Sequence, residues 1–175
     1  IPIGKDAPYV FKGTFNGKLH KINGLYIIGF INEGLFGYVD NGTIENVIMG
    51  QGYISTPSNT TYESYSKIGA IAGWLTGNMY SCGNEMTNIH GGDSTYLGGL
   101  VGYLKGNIYN SYNKASITKG EGSSYSAGIA GISKEITKIY NCYNIGDINS
   151  LGGIVGYIGS PSSGKKSTYI YYCYY

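Results

Sequence analysis

Small, apolar and glycine positions recur along this chain in a fixed order, and that recurrence is its strongest signal. A small–apolar–apolar–Gly unit appears five times, as Gly34-Leu35-Phe36-Gly37, Ala70-Ile71-Ala72-Gly73, Gly99-Leu100-Val101-Gly102, Gly128-Ile129-Ala130-Gly131 and Gly153-Ile154-Val155-Gly156. An aromatic residue follows four of the five copies, as Tyr38, Trp74, Tyr103 and Tyr157, with Ile132 in the remaining one. A second unit begins at Ile44, Met79, Ile108, Ile139 and Ile170, and its last three copies read IYNSYN, IYNCYN and IYYCYY. A lone isoleucine marks each repeat again at Ile54, Ile89, Ile117 and Ile148.

The spacings divide each repeat into a constant and a variable half. From the last glycine of the first unit to the lone isoleucine is 17, 16, 15 and 17 residues; from there to the next such glycine is 19, 13, 14 and 8. Length variation therefore sits in one connection, which includes 55–66, 90–95 and 118–126 and is rich in Ser, Thr, Gly and Asn, residues that favour turns. Loops that lengthen on one side only are what a solenoid tolerates. The apolar runs are short, about 3–6 residues, and bounded by Gly or Asn, which predicts strands. The expected fold is all-β: a single parallel β-helix of about five to six coils, forming a rod about 25–30 Å long at the usual rung spacing. Residues 1–33 are read as the entry coil and 34–175 as the repeats of one continuous domain. A flat sandwich or barrel predicts no such sequential equivalence.

Composition agrees: 30 Gly, 20 Tyr and 23 Ile in 175 residues disfavour helices nearly everywhere. The 12 Lys are nearly balanced by 10 acids and there is no Arg, so neither a polyanion-steering field nor a guanidinium for base or phosphate contacts is present. Lys165-Lys166 is the only adjacent basic pair. Nucleic acid is not an expected partner, and no apolar window is long enough to span a membrane. Beginning at Ile1 without an initiator Met, the chain is expected to be a processed form or a piece of a longer protein.

The G-G-[LI]-V-G unit resembles the GLUG repeat of bacterial secreted and cell-surface proteins. So does the stretch Ile139, Asn141, Cys142, Tyr143, Asn144, Gly146 and Ile148. The segment Phe11-Lys12-Gly13-Thr14-Phe15-Asn16-Gly17, followed by His20, Ile22 and Leu25, is similar to the start of such arrays, with Asn16 where Asp is common. The resemblance implies a β-solenoid module of a secreted or cell-surface bacterial protein, as in some IgA-cleaving metallopeptidases and adhesins. It does not imply that this segment is catalytic.

Stacking turns each repeat position into a column. Tyr80, Tyr109, Tyr140 and Tyr171, headed by Glu45, lie opposite the inward isoleucine and are expected to face outward. Tyr112, Tyr143 and Tyr174 form a second column, and Tyr38, Trp74, Tyr103 and Tyr157 a third. Exposed aromatics can contact a sugar or a host protein, which makes Tyr80, Tyr109, Tyr140, Tyr171, Trp74 and Tyr103 the candidate ligand-binding residues; self-stacking along the rod is the structural alternative. Asn46, Asn110 and Asn141 share one position, with Ser81 and Tyr172 in the other copies. Asn84, Asn113 and Asn144 share another, where amides can bond rung to rung. Cys82, Cys142 and Cys173 share a position with Val47 and Ser111, which suits a small core site; a disulfide between Cys142 and Cys173 is geometrically allowed.

No catalytic or metal site and no cofactor are expected. His20 and His90 are the only histidines, there is no HExxH, G-x-S-x-G or P-loop, and the acids form no column. Asp40 and Glu45 are the only acids expected near each other. The favoured function is a non-catalytic spacer with an adhesive surface. A carbohydrate-binding module, with 55–66 as its rim, comes second and a β-helix polysaccharide lyase or hydrolase third. An uncapped solenoid end is expected either to continue in the parent protein or to associate end to end.

Overall fold

The computed structural model describes residues 1–57, 65–120, 125–149, 152–159 and 167–175. These form a β-solenoid of about five turns with no α-helix, built from four parallel sheets. Among them no helix is long and apolar enough to cross a membrane.

Each turn visits the four sheets in the same order. The first sheet stacks Thr14–Asn16, Thr43–Glu45, Asn78–Tyr80, Asn107–Tyr109, Ile136–Tyr140 and Ser167–Tyr171. The second holds Lys21–Ile22 and Leu25–Ile28, Ile48–Ser55, Gly83–Gly91, Tyr112–Asn113 and Ile117–Lys119, and Tyr143–Asn144. The third holds Asn32–Glu33, Ser66–Gly69, Thr95–Gly98 and Tyr125–Ala127. The fourth holds Phe36–Val39, Ala72–Leu75, Val101–Leu104, Ala130–Ser133 and Val155–Ile158.

The register reproduces the repeat alignment. Phe15, Ile44, Met79, Ile108, Ile139 and Ile170 pair in series, as do Ile27, Ile54, Ile89, Ile117 and Ile148. Ile44, Met79, Ile108 and Ile139 are fully buried, and with Ile54, Ile89, Leu75 and Leu104 they form the rod's interior. Each such side chain contributes about 1.5–3 kcal/mol by leaving water.

Two expectations change. The strands Ile48–Ser55 and Gly83–Gly91 run eight and nine residues, longer than the short runs predicted, because the polar positions between two buried residues still pair along the ladder. The variable connection is also shorter than its composition suggested. Ser66, Thr95 and Ser126 already belong to the third sheet, where they are buried.

The last glycine of the small–apolar–apolar–Gly unit has a specific steric role. A methyl on Gly73 would stand 2.6 Å from the Glu33 backbone nitrogen and 2.8 Å from the Lys67 oxygen. On Gly131 it would stand 2.6 Å from the Leu97 nitrogen, and on Gly156 2.8 Å from the Ser126 oxygen. At this corner the fourth sheet lies backbone to backbone against the third, and a Cβ does not fit. Tight corners elsewhere use left-handed residues: Asn46, Ser81, Asn110, Asn141 and Tyr172 have φ of 56°, 52°, 51°, 52° and 52°. That conformation suits Asn and explains why the position recurs as Asn.

Candidate functional site

The outward tyrosine column forms in the expected register: Glu45, Tyr80, Tyr109, Tyr140 and Tyr171 are consecutive partners on the first sheet. Tyr80, Tyr140 and Tyr171 are exposed and Tyr109 half-buried. Strand alternation is the cause, since the buried Met79, Ile108 and Ile139 beside Tyr80, Tyr109 and Tyr140 point the other way.

Ring orientation determines what this column can contact. Tyr80 and Tyr109 stack with centroids 5.1 Å apart and planes 6° from parallel. In the second column Tyr112 stacks on Tyr143 at 5.2 Å and 9°, and Tyr143 on Tyr174 at 5.2 Å and 5°. Rings stacked along the rod direct their faces at each other and their edges and hydroxyls at solvent. Sugar stacking needs an open ring face, which these pairs have already used on their neighbours. Tyr112 also donates to Glu85 at 3.2 Å, and Glu85 pairs with Lys21 at 2.5 Å. Burial, then the adjacent carboxylate, pushes the Tyr112 phenol up to about 12.

The third column joins a larger cluster. Tyr38 stacks on Trp74 at 4.5 Å, and Trp74 meets Tyr103 at 4.9 Å with a 60° tilt. Tyr103 is only 8% exposed, so this member of the expected exposed row is covered. Its cover includes Tyr96, 6.1 Å away, and the Lys134 ammonium 5.8 Å from its ring centroid. Lys67 sits 5.3 Å from the Trp74 ring, and burial lowers its pKa. Tyr96 belongs to a column the sequence reading missed: Lys67, Tyr96 and Tyr125 are register partners. Tyr65 stacks on Tyr96 at 4.7 Å and Tyr125 on Tyr157 at 4.5 Å. Burial and four neighbouring phenols push Tyr96 up to about 12. The available signal was positional, because Lys67, Tyr96 and Tyr125 each precede the small–apolar–apolar–Gly unit by three residues.

Two amide ladders run through the rod. Asn84 donates to Asn113 at 2.9 Å and Asn113 to Asn144 at 2.7 Å, all three buried. Asn113 also donates to the Ala115 carbonyl at 2.9 Å and Asn144 to that of Gly146 at 3.1 Å. The first glycine of the unit makes room for them, since a methyl on Gly99 would meet the Asn113 amide and one on Gly128 the Asn144 amide. At the exposed bend Asn141 donates to Asn110 at 2.9 Å.

The cysteines occupy the expected column and are free thiols. Cys82 and Cys142 are buried and Cys173 is half-buried. The Cys82 amide donates to the Ser111 hydroxyl at 3.1 Å, which places a serine between the first two cysteines.

The acids do not converge. Asp40 pairs with Lys12 at 3.4 Å, while Glu45 accepts from Asn16 at 2.8 Å. Glu33 is buried, held by the backbone N–H groups of Ile31 and Phe30, and burial raises its pKa. The cleft beside it, lined by Ile1, Pro2, Lys5 and residues 26–31, contributes no second carboxylate, whereas glycoside hydrolysis uses a pair. Among the described residues no three of His, Cys, Asp or Glu come together to hold a metal ion. Most of the proposed rim 55–66, from 58 to 64, lies outside the described residues, as does Lys165-Lys166.

Fold and columns together define a structural β-helix module whose repeats stack residue on equivalent residue. Residues 93–118 match a protein family described as the GLUG motif. That stretch holds Tyr96, the Gly99–Gly102 unit, Tyr109 and Asn113, so the matched segment passes through each of the four sheets within a single turn of the solenoid. No curated protein and no solved structure matches the chain.

Proposed function

We propose that this chain is a non-catalytic spacer module of a secreted or cell-surface bacterial protein, with the column Tyr80, Tyr109, Tyr140 and Tyr171 as its contact surface for a host partner. The observation that supports the spacer role is the stacking of the tyrosine and asparagine columns. Tyr80 stacks on Tyr109, Tyr112 on Tyr143 and Tyr143 on Tyr174, and the buried amides bond rung to rung, which favours a stiff rod over a ligand pocket. Tyr140 instead meets Tyr172 edge-on and Tyr171 stacks on Tyr169. Where the rings stack, as at Tyr80 and Tyr109, the surface left to a partner consists of ring edges and phenol hydroxyls, which suit a polar protein surface better than a pyranose ring.

Arrays of glycans and host proteins probed with the wild type, Tyr109→Ala and Tyr140→Ala test this reading. Glycan spots are expected at background for all three, and a host-protein signal is expected to fall in both variants. Each truncation should cost about 0.5–1.5 kcal/mol of stability from the lost ring pair. A glycan signal abolished in both variants while circular dichroism is unchanged would move the function to carbohydrate binding. A polysaccharide panel yielding new reducing ends or unsaturated product would overturn the non-catalytic reading.

The proposal extends to end-to-end association. Ile170, the last member of a column otherwise fully buried from Ile44 to Ile139, is 40% exposed. Among the described residues its strand, Ser167–Tyr171, pairs on one side only, and an apolar edge left open in this way promotes pairing with another chain. Sedimentation velocity should show a concentration-dependent species that Ile170→Lys suppresses; a monomer at every concentration would refute it.

A further inference from the structure

Cys142 and Cys173 are the only two cysteines on neighbouring rungs. Tyr140 pairs with Tyr171 and Tyr143 with Tyr174, so the two cysteines between them are held in parallel register. Parallel rungs place equivalent Cα atoms about 4.8 Å apart, inside the roughly 4.4–6.8 Å range that a disulfide spans. The Cys142 amide donates to the Cys173 sulfur at 3.4 Å, while the Cys142 thiol is directed at the carbonyls of Tyr140 at 3.4 Å and Ile108 at 3.8 Å. All three thiols lean on carbonyls of their own and the preceding rungs, but Cys82 has no cysteine neighbour, because Ser111 occupies the rung between it and Cys142.

The two sulfurs are not equivalent. Cys173 is half-buried and reachable from solvent, whereas Cys142 is 1% exposed. The neighbouring Cys142 thiol, with amide donors around it, brings the Cys173 thiol down to about 7, and the same thiol–thiol interaction together with burial pushes Cys142 up. The accessible sulfur is therefore the better nucleophile at neutral pH, and the buried one is positioned behind it. Cys82, pushed up to about 12 by burial, is inert by comparison.

We propose that Cys142 and Cys173 form a thiol–disulfide exchange site that reacts with small disulfides and closes into a covalent clasp between the last two rungs. The Cys173 thiolate attacks one sulfur of a disulfide such as oxidised glutathione. The glutathione S–S bond breaks, one glutathione thiolate leaves, and a mixed disulfide forms on Cys173. Cys142 then gives up its proton to the released thiolate and attacks the Cys173 sulfur, expelling the second glutathione. Two protein thiols are oxidised by two electrons and one glutathione disulfide is reduced to two thiols. The site does not depend on the spacer reading, because it concerns only the adjacency of two side chains.

Incubating the full chain with oxidised glutathione and titrating thiols after denaturation tests this. The count is expected to fall from three to one, and peptide mapping should return a single Cys142–Cys173 cross-link with Cys82 still free. Cys82→Val, which places in that column the residue the chain already uses at Val47, should cross-link identically. Cys173→Ser should retain two free thiols and form no internal cross-link. A stable glutathione adduct on Cys173 with Cys142 still free, or a count that stays at three, would overturn the proposal.

Discussion

Gly102→Ala is expected to cost about 3 kcal/mol or more, at or beyond the upper end of ordinary overpacking, read as a lower urea midpoint with loss of cooperativity. The added methyl would press on the backbone nitrogen of Ile68 and stand 2.7 Å from the Lys67 carbonyl carbon and 2.9 Å from the Gly73 oxygen. All three are main-chain atoms paired in parallel ladders, so none can rotate away. Relief requires two sheets to separate in the middle of the rod. Gly24→Ala is the control. Gly24 has φ of +79° and nothing within 4 Å of an added methyl, so only the left-handed backbone cost of about 1–2 kcal/mol applies. Equal effects of the two substitutions would mean that the corner is not closely packed.

Asn113→Ala is expected to cost about 3–4 kcal/mol in the same measurement. It removes the donor to Asn144 and to the Ala115 carbonyl, leaving buried acceptors at about 1–3 kcal/mol each. Asn84 loses one acceptor but keeps the carbonyls of Thr87 and Gly99, so damage should run toward Asn144 rather than back along the rod. Asn113→Asp separates hydrogen bonding from volume. Its carboxylate would face two acceptors in a buried site, so its folded pKa would lie above the unfolded value of about 3.9. The penalty is then absent below the unfolded pKa and grows as pH rises through the folded one. A variant equally stable at pH 4 and pH 7 would show that the ladder is not dry.

Much of the fold was legible because a solenoid converts sequence period directly into contact. The columns headed by Ile44, Glu45 and Ile54 were aligned from spacing alone, and the strands pair them in that order. The Asn84–Asn113–Asn144 ladder was legible for the same reason. Less legible was the third sheet, whose short strands Ser66–Gly69, Thr95–Gly98 and Tyr125–Ala127 adjoin the variable connection and carry Ser or Thr at their first or second position, residues that also make turns. The corner glycines Gly42, Gly77 and Gly106 were missed as a column. An added methyl on Gly77 or Gly106 meets the backbone of the glycine one turn earlier, but the first of them lies five residues after its unit and the others four.

The sequence by itself determined which residues are neighbours along the rod, since equivalent positions one repeat apart must stack. Only the tertiary structure decided who meets across a turn. Period says nothing about the angles between consecutive strands of the same coil, and those angles bring the Gly102 backbone against Lys67 and Ile68. They also bury Tyr103 under Tyr96 rather than leaving it in an exposed row. The direction of the ring planes, which turns Tyr80 and Tyr109 edge-out while Tyr140 meets Tyr172 edge-on, is likewise a property of packed side chains that no spacing records.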